Sequence, residues 1–320
     1  ILDCRNVSYS YHNLSGETLA LSNLSFQVQA GEFLSIVGPS GCGKSTLLSL
    51  IAGLSHPEEG EIIINIEDKS RIGYMLQQDH LFEWRSIRRN VLLGPEINHI
   101  LSSEHQTLAD RLLKDYGLDK FQHKRPCELS GGMKQRAALI RTMLMPPKLL
   151  LLDEPFSALD YQTRLMVSAD IGRIIKSSKI TAILITHDLG VVANVADRVC
   201  VMYAGKIIET GTVEEIFYDP RHPYTWSLLT SMPSLATSSE DKLTVIPGSL
   251  PNMIHPPKGD AFAPRNRYAM KRRCLKSATR ITLPPGWSIP TRRKSAFRNR
   301  SRAVSPRSLP GRSTHERTHS

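Results

Sequence analysis

The segment Gly38–Ser45 constrains this 320-residue chain more than any other feature, because its glycines, lysine and serine have a fixed spacing. Two glycines are separated by four residues, and the second is followed directly by Lys44 and Ser45. A mostly apolar strand, 32–37, is predicted before the segment, and a helix, 46–52, is predicted after it. The glycines let backbone N–H groups converge on phosphate oxygens, and the helix directs its positive end at the same anion. Because a chance glycine turn would lack this strand and helix, the segment predicts a phosphate-binding loop in an α/β fold.

The predicted nucleotide contacts come from this loop and the residue after it. Lys44 is expected to reach the β- and γ-phosphates of ATP, and Ser45 to ligate Mg²⁺. The other predicted contacts are Gly38, Ser40, Gly41, Cys42, Gly43 and Thr46. ATP and Mg²⁺ are therefore the expected ligands of the chain.

A second site follows the apolar run Leu149–Leu152, after which come Asp153 and Glu154. An unbroken apolar run indicates a strand buried on both faces of a parallel sheet. The two acids would then lie at the carboxyl edge of the sheet, where open α/β sheets bind ligands. Asp153 is expected to hold Mg²⁺, directly or through water, and Glu154 to polarise the attacking water. This pattern is weak alone, but the phosphate loop about a hundred residues earlier strengthens it.

A third segment, Leu129–Arg136, places Ser130, Gly131 and Gly132 at the start of a predicted helix. Such a turn is an anion site by the same dipole argument, although a plain N-cap at Ser130 would have the same sequence. One bound nucleotide does not need two phosphate-binding turns in one chain. Two are needed if each nucleotide is held between two subunits.

The three segments, in this order and spacing, resemble the ATPase subunits of ABC transporters, and the resemblance covers roughly residues 3–230. It implies that Tyr11 stacks on adenine and that His187 contacts the γ-phosphate. It also implies that Gln77 contacts Mg²⁺ and links the catalytic core to a helical subdomain. For Tyr11 or His187 taken alone, a purely structural role is the alternative.

The same resemblance completes the predicted site. The segment Ser157–Asp160 matches the loop that crosses the dimer interface, which adds Asp160 to the nucleotide-binding residues. The predicted catalytic residues are Glu154, His187 and Gln77. The predicted Mg²⁺ ligands are Ser45, Gln77 and Asp153.

The fold implied by the resemblance is α/β. It has a P-loop nucleoside-triphosphatase core, whose mixed sheet carries flanking helices, together with an antiparallel β subdomain and a helical subdomain. Leucines at helical spacing, including Leu108, Leu112 and Leu113, mark the helical part. The expected divisions are an ATPase cassette at 1–230, its helical subdomain at about 78–145, a C-terminal extension at 231–275 and a basic tail at 276–320. The tail has no hydrophobic period, so it is predicted to be disordered.

The subfamily signals change along the chain. Residues 1–190, most clearly 71–188, resemble importers of nitrate, sulfonates and taurine. Residues 187–275 resemble subunits of di- and oligopeptide or nickel importers, above all in His222-Pro223-Tyr224-Thr225. The resemblance predicts a nitrate, sulfonate or taurine importer, with a peptide or nickel importer as the alternative. We interpret the change as a join at 184–190, made by recombination or faulty sequence assembly, and a natural intermediate subfamily is the alternative.

The distribution of charge and the organisation of the chain argue against two other classes of function. The net charge of +11 is concentrated late in the chain, since sixteen of the 41 Lys and Arg residues but one of the 30 acids lie at or after Arg265. This basic stretch has few aromatic residues and no stacking pattern, so nucleic-acid binding is not expected. A non-transport ATPase of the same fold is a further alternative, but the sequence shows neither a coiled-coil insertion nor a second cassette.

The resemblance also implies partners and a location. The expected partners are a second ATPase subunit, taken to be an identical copy, membrane permease subunits and, indirectly, an extracytoplasmic substrate-binding protein. The sequence has no apolar run of 18 residues, so a peripheral position on the cytoplasmic face of the (inner) cell membrane is expected. Peptide-importer subunits carry cysteines where this chain has Asp260 and Asn266. Only Cys274 remains there, so no iron–sulfur cluster is expected.

Overall fold

The computed structural model describes residues 1–13, 16–68, 71–231, 246–254, 257 and 259–266. The tail that is predicted to be disordered, 276–320, and Cys274 lie outside these residues. Residues Ile1–Asn266 form one compact unit. Its described part contains two β-sheets, nine α-helices and short 3₁₀ turns.

The first sheet is antiparallel and has the strand order β2-β1-β4. Its strands are β1 (Leu2–Asn13), β2 (Gly16–Val28) and β4 (Glu59–Ile64). Along β1, the buried side chains of Leu2 and Cys4 alternate with the more exposed Asp3 and Arg5. This alternation is typical of an antiparallel strand that has one face on the core and one face in water.

The second sheet is mixed and has the order β5-β6-β7-β3-β8-β9. Its strands are β3 (Phe33–Val37), β5 (Ile72–Met75), β6 (Leu149–Asp153), β7 (Thr181–Thr186), β8 (Arg198–Tyr203) and β9 (Lys206–Thr212). Neighbouring strands are parallel except for β8 and β9. Every residue of β3, β6 and β7 is buried, and for β3 and β6 this agrees with the apolar runs that predicted these strands.

The antiparallel pair β8 and β9 is a hairpin, and its turn consists of Ala204 and Gly205. Both residues have positive φ, 48° and 73°, which a two-residue type I′ turn requires. A Cβ on Gly205 would lie 2.7 Å from the carbonyl oxygen of Ala20. The turn is therefore held close against β2.

The helices of the described part are α1 (Lys44–Ile51), α2 (Ile87–Val91), α3 (Leu93–Ile97), α4 (Ser103–Asp115), α5 (Gly131–Met143), α6 (Tyr161–Ser177), α7 (Leu189–Val195), α8 (Val213–Tyr218) and α9 (Pro223–Thr230). Helices α2 to α5 lie within the stretch that is predicted to be mostly helical. On α4, Ala109, Leu112 and Leu113 are buried, which is the face indicated by the leucine spacing. Among the described residues, no helix is long and apolar enough to cross a membrane.

Buried side chains cover both faces of the six-stranded sheet. Leu150 and Leu152 of β6 pack in a cluster shared with α2, α4, α5 and α6. Leu149 and Leu151 pack in a second cluster with α1 and the antiparallel sheet. A third cluster, around β8, takes in Phe262 from the segment 259–266. The residues after β6 are thus carried by a strand that is fixed on both faces.

Candidate nucleotide-binding site

Three of the predicted site segments meet because they follow neighbouring parallel strands. Strand β3 leads into the phosphate loop, β6 is followed by Glu154, and β7 is followed by His187. Strand β7 lies between β6 and β3, with Val37 opposite Thr186. The carboxyl ends of these strands form one edge, which is where open α/β sheets bind ligands.

The phosphate loop approaches its neighbours so closely that two positions require glycine. Gly43, just before α1, has a φ of 98°, and a Cβ there would lie 2.4 Å from the carbonyl oxygen of Ala20. A Cβ on Gly38 would lie 2.2 Å from the carbonyl oxygen of Met202. The loop therefore packs against β2 and the end of β8, and it leads directly into the amino end of α1. Its backbone N–H groups and the helix dipole can act together on an anion.

Lys44 is the first residue of α1 and is 8% exposed. Its Nζ donates to the carbonyl oxygens of Gly38 and Pro39, at 2.9 Å each, and lies 3.8 Å from the sulfur of Cys42. These acceptors are neutral groups of the loop itself. The ammonium charge is consequently held inside the loop, where it can attract phosphate oxygens.

Asp153, at the end of β6, is buried and close to Ser45. Burial raises the pKa of its carboxyl group above the ordinary value and the charge of Glu154 adds to the rise, whereas the Ser45 hydroxyl and Lys44 oppose it. Among the residues that the structure describes, its Oδ1 has no hydrogen-bond partner. An unpaired buried carboxylate oxygen beside a hydroxyl suits Mg²⁺, which prefers oxygen ligands. Ser45 and Asp153 therefore fit a magnesium ion.

Glu154 follows β6 in a left-handed backbone conformation, with a φ of 48°. Its N–H donates to the carbonyl oxygen of Ile185 at 3.0 Å, which fixes the residue against β7. Nδ1 of His187 lies 3.0 Å from the Glu154 carboxylate. Left-handed backbone is costly for a residue with a side chain, and such strain is concentrated at functional sites. The conformation holds the carboxylate at the carboxyl edge, together with the histidine.

The Glu154–His187 pair predicts a pH dependence. The hydrogen bond with Glu154 raises the pKa of His187, and burial opposes the rise. Because the folded-state pKa is raised, the pair stabilises the chain below the ordinary histidine pKa, and this stabilisation is lost as the pH rises through the raised value. We expect the His187 imidazole, followed by NMR, to titrate at a lower pH in the Glu154→Gln variant than in the wild type. Identical titration curves would contradict the pairing.

Tyr11 lies on β1 beside the phosphate loop and is 49% exposed. Its hydroxyl oxygen is 3.0 Å from Oγ1 of Thr46, and its ring contacts Tyr9 edge to face, with the ring centroids 5.2 Å apart. These two contacts fix the position of the ring while about half of its surface faces solvent. The ring is therefore available to stack on a base bound next to the loop.

The turn Ser130–Gly132 has different neighbours. Ser130 caps α5, since its Oγ accepts a hydrogen bond from the N–H of Met133. A Cβ on Gly131 would lie 3.3 Å from Cβ of Ala158, and one on Gly132 would lie 2.4 Å from the side chain of Leu159. The turn is therefore held on the loop 157–160 and not in the cluster around Lys44. Ser130 and Gly131 are exposed, so this helix terminus can meet an anion carried by another subunit.

Gln135 is a residue of this region to which the sequence analysis gave no role. Its Nε2 donates to Oγ of Ser157 at 3.0 Å, and its Oε1 accepts from the N–H of Ala158 at 3.1 Å. It is 5% exposed, and a glutamine among apolar residues of a predicted helix is the signal that could have revealed it. Asp160 caps α6 by accepting from the N–H of Thr163. The hydrogen bond with the Thr163 side chain, followed by that with its N–H, lowers the pKa of the Asp160 carboxyl group. Gln135 thus joins the turn to the loop that ends at Asp160.

Gln77 lies two residues after β5, the strand next to β6, and is exposed. Gln77 therefore lies at the same edge of the sheet as the other site residues. In the described part of the chain, it makes no hydrogen bond that would hold it at Asp153. A cavity of about 810 Å³ opens at the opposite edge, beside Lys148 and Thr181, away from the predicted nucleotide contacts.

Comparisons with known proteins agree with this geometry. Residues 21–157 match the ABC transporter family, and residues 208–274 match the oligopeptide/dipeptide transporter C-terminal region. The oligopeptide transport ATP-binding protein OppD of Bacillus subtilis is 41% identical over 300 residues, which cover 85% of this chain and 82% of OppD. The chain belongs to the ABC transporter ATP-binding proteins. As a member of this family it binds and hydrolyses ATP.

Two further relatives of this ABC ATPase support the assignment. The dipeptide transport ATP-binding protein DppD of Lactococcus lactis is 36% identical over 301 residues, covering 84% of each chain. A dimeric structure of MJ0796, a bacterial ABC transporter cassette, is 30% identical with a TM-score of 0.61, over 67% of this chain and 99% of that cassette. The predicted α/β P-loop fold, with its mixed sheet and antiparallel β part, is confirmed.

The similarity to OppD spans the position of the expected join. A stretch that covers 85% of the chain cannot lie on one side of residues 184–190, so it includes them. The expected join stays a prediction, because both subfamilies of the resemblance are ABC ATPases and a join of the two would show the same similarity. The expectation of a nitrate, sulfonate or taurine importer gains no support from these relatives, and the peptide alternative is favoured.

Proposed function

We propose that this chain supplies the ATP hydrolysis for an importer of oligopeptides or dipeptides. The observation that carries the proposal is the similarity to OppD over 85% of the chain, together with the match of residues 208–274 to the oligopeptide/dipeptide transporter C-terminal region. The proposal replaces the nitrate, sulfonate or taurine prediction. That prediction rested on stretches within 71–188, whereas the similarity to OppD extends over 85% of the chain.

The proposed divisions of the chain are the cassette at 1–230, with its helical subdomain at about 78–145, the extension at 231–275 and the tail at 276–320. Helices α2 to α5 supply the helical subdomain. The described residues of the extension pack on the cassette through Phe262, which is 1% exposed. The described part of the proposed extension therefore belongs to the same folded unit as the cassette.

In the proposed mechanism, ATP binds at the carboxyl edge of the six-stranded sheet. Tyr11 stacks on the adenine, the backbone of 38–46 surrounds the phosphates, and Lys44 lies on the β- and γ-phosphates. Ser45 and Asp153, with Gln77 beside them, would hold a magnesium ion, which neutralises phosphate charge when it is bound. Burial of Asp153 at the end of a rigid strand keeps its carboxylate directed at this position.

Glu154 orients the attacking water and accepts its proton, and His187 contacts the γ-phosphate from its position beside Glu154. The 3.0 Å contact between the two side chains keeps both at the same place on the edge. There is little covalent chemistry for the protein to perform, so the rate enhancement comes from positioning and from stabilisation of charge on the transferred phosphoryl group.

A second copy of the chain completes the site in this proposal. The turn Ser130–Gly132 and the loop that ends at Asp160 are tied together through Gln135, apart from the phosphate loop of the same chain. They would therefore bind the nucleotide held by a partner copy. The cassette MJ0796 has been solved as a dimer, which supports such an arrangement. ATP would join the two faces, and hydrolysis would let them separate.

Exposed apolar side chains of the helical part are proposed to bind a membrane permease. Trp84 is 71% exposed and Ile97 is 64% exposed, and an ion pair between Arg85 and Glu96 holds their two segments together. Large apolar side chains grouped on a surface mark interaction sites. Both side chains lie within the helical subdomain, about 78–145. This contact would place the chain at the cytoplasmic face of the membrane, with a substrate-binding protein on the far side of the permease.

Co-expression with permeases tests the proposed cargo class. A dipeptide or oligopeptide permease pair is expected to form a complex with the chain and to stimulate its ATPase activity, whereas a nitrate or sulfonate pair is not. Contact energies at the docking surface decide the partner. The Trp84→Ala variant should lose most of the stimulation, because the largest exposed apolar side chain of the surface is removed.

The matched control is Tyr218→Ala, which removes a 74% exposed aromatic side chain outside the helical part. Its ATPase activity should be stimulated as strongly as that of the wild type. Stimulation by the nitrate or sulfonate permease alone would contradict the peptide assignment. Equal loss in the Trp84 and Tyr218 variants would contradict the proposed docking surface.

A further inference from the structure

The phosphate loop rests on the turn of the β8–β9 hairpin and on β2. The N–H of Gly205, in the hairpin turn, donates to the carbonyl oxygen of Cys42, in the loop, at 3.1 Å. The two loop glycines approach the backbones of β2 and β8 so closely that no Cβ would fit. Contacts between backbones leave little room for adjustment, so a displacement of the turn or of β2 would displace the loop.

Tyr203, immediately before the turn, joins it to the described residues of 246–266, which we call the C-terminal segment. Tyr203 is 1% exposed, and its ring centroid lies 4.7 Å from that of Tyr224 and 5.6 Å from that of Phe262. The Tyr224 and Phe262 rings are themselves 5.4 Å apart, so the three rings contact one another. Val37, the residue that leads from β3 into the phosphate loop, is buried in the same cluster.

Polar contacts attach the C-terminal segment at two places. Arg265 donates from Nη1 to the hydroxyl oxygen of Tyr203 at 3.2 Å and from Nε to the carbonyl oxygen of Pro247 at 2.8 Å. The N–H of Leu19, on β2, donates to the carbonyl oxygen of Met253 at 3.2 Å. One attachment therefore reaches the hairpin and the other reaches β2, which are the two supports of the phosphate loop.

We propose that the C-terminal segment keeps the phosphate loop in its nucleotide-binding shape, with Phe262 and Arg265 as positioning residues. Both residues act through Tyr203 and the hairpin turn. The inference rests on the proposed assignment of Gly38–Ser45 as the phosphate-binding loop. By linkage, ATP in the loop stabilises the docked segment by as much as docking strengthens ATP binding.

The C-terminal segment lies within residues 208–274, which match the oligopeptide/dipeptide transporter C-terminal region. The proposal therefore links this region to the ATP affinity of the cassette. A partner protein that displaced the segment from Tyr203 would lower the ATP affinity. A partner protein that stabilised the docked segment would raise it. The coupling runs through packed rings and backbone hydrogen bonds, which have few alternative arrangements.

The test compares ATP affinity among variants of the full chain. Phe262→Ala and Arg265→Ala are each expected to raise the Kd for ATP at least about 5-fold, the low end of coupling between sites. The hydrolysis rate at saturating ATP should change little, because Glu154 and Asp153 are untouched and the loss is one of binding. Phe262→Leu, which keeps most of the apolar volume, should recover much of the affinity. Arg221→Ala, at an exposed arginine outside the C-terminal segment, is the matched control and should bind ATP normally.

Hydrogen exchange supplies the reciprocal measurement. ATP should slow amide exchange in 246–266 of the wild type but not of Lys44→Ala, in which the phosphate loop is disabled. The inference would be overturned if both Phe262→Ala and Arg265→Ala bound ATP with wild-type affinity. It would also be overturned if ATP did not change the rate of amide exchange in 246–266 of the wild type. If Phe262→Ala does not fold, Arg265→Ala decides, since it removes polar contacts from a half-buried position. If Lys44→Ala binds ATP normally, the phosphate-loop assignment fails instead.

Discussion

The Glu154→Gln variant is expected to bind ATP and to hydrolyse it at least about 100-fold more slowly than the wild type, the scale of losing a general base. Glutamine has the shape of glutamate and can still accept a hydrogen bond from His187, but it cannot take the proton of the attacking water. The variant should also accumulate as an ATP-bound dimer, because separation of the subunits follows hydrolysis. Phosphate release at saturating ATP measures the rate, and light scattering measures the mass.

The control for this variant is Glu61→Gln, which neutralises an exposed carboxylate on β4 that pairs with Arg5. It should hydrolyse ATP at the wild-type rate, since β4 belongs to the other sheet. A Glu154→Gln variant with near-wild-type hydrolysis would remove Glu154 from its proposed role. The left-handed backbone at Glu154 would then need another explanation.

The Lys44→Ala variant is expected to weaken ATP binding itself, by at least about 30-fold, the lower limit for truncating one partner of a buried charge pair. Lys44 is 8% exposed and its Nζ is held by carbonyl oxygens of the phosphate loop, so no other cation can replace it without rearrangement of the loop. Titration of the chain with ATP, followed by calorimetry, measures the affinity directly.

Lys206→Ala is the matched control, because Lys206 is an exposed lysine at the start of β9. Its removal changes the net charge by the same amount and should leave the ATP affinity unchanged. Equal ATP affinity in Lys44→Ala and the wild type would refute the assignment of Gly38–Ser45 as the phosphate-binding loop. Equal losses in both variants would indicate a general effect of charge.

Local sequence predicts those parts of the fold that short-range forces decide. The apolar run at Leu149–Leu152 becomes the fully buried β6, and the Ala204-Gly205 pair becomes the turn of a hairpin, because only certain residues adopt its positive φ. The helix after the phosphate loop begins at Lys44, two residues earlier than the predicted start. Helix ends depend on capping as well as on hydrophobic period, so their positions are the less predictable part.

Contacts between distant segments could not be predicted in the same way. The pairing of His187 with Glu154 depends on β7 lying beside β6, and the hydrogen bonds of Gln135 to Ser157 depend on how α5 lies on the following loop. Neither arrangement is a property of one segment. The peptide importer came second among the predictions because the cassette stretches were weighed above the C-terminal region, which matches the oligopeptide/dipeptide transporter family.

The claim that ATP is hydrolysed between two copies of this chain is tested most directly by mixing two variants. Lys44→Ala disables the phosphate loop and Ser130→Arg disables the partner-facing turn, so neither variant alone forms an intact site. A dimer of one chain of each kind contains one site in which both residues are unchanged. The account predicts that the mixture hydrolyses ATP faster than either variant alone at the same total concentration. A mixture no faster than the mean of the two folded variants, or a Ser130→Arg variant as active as the wild type, would contradict it.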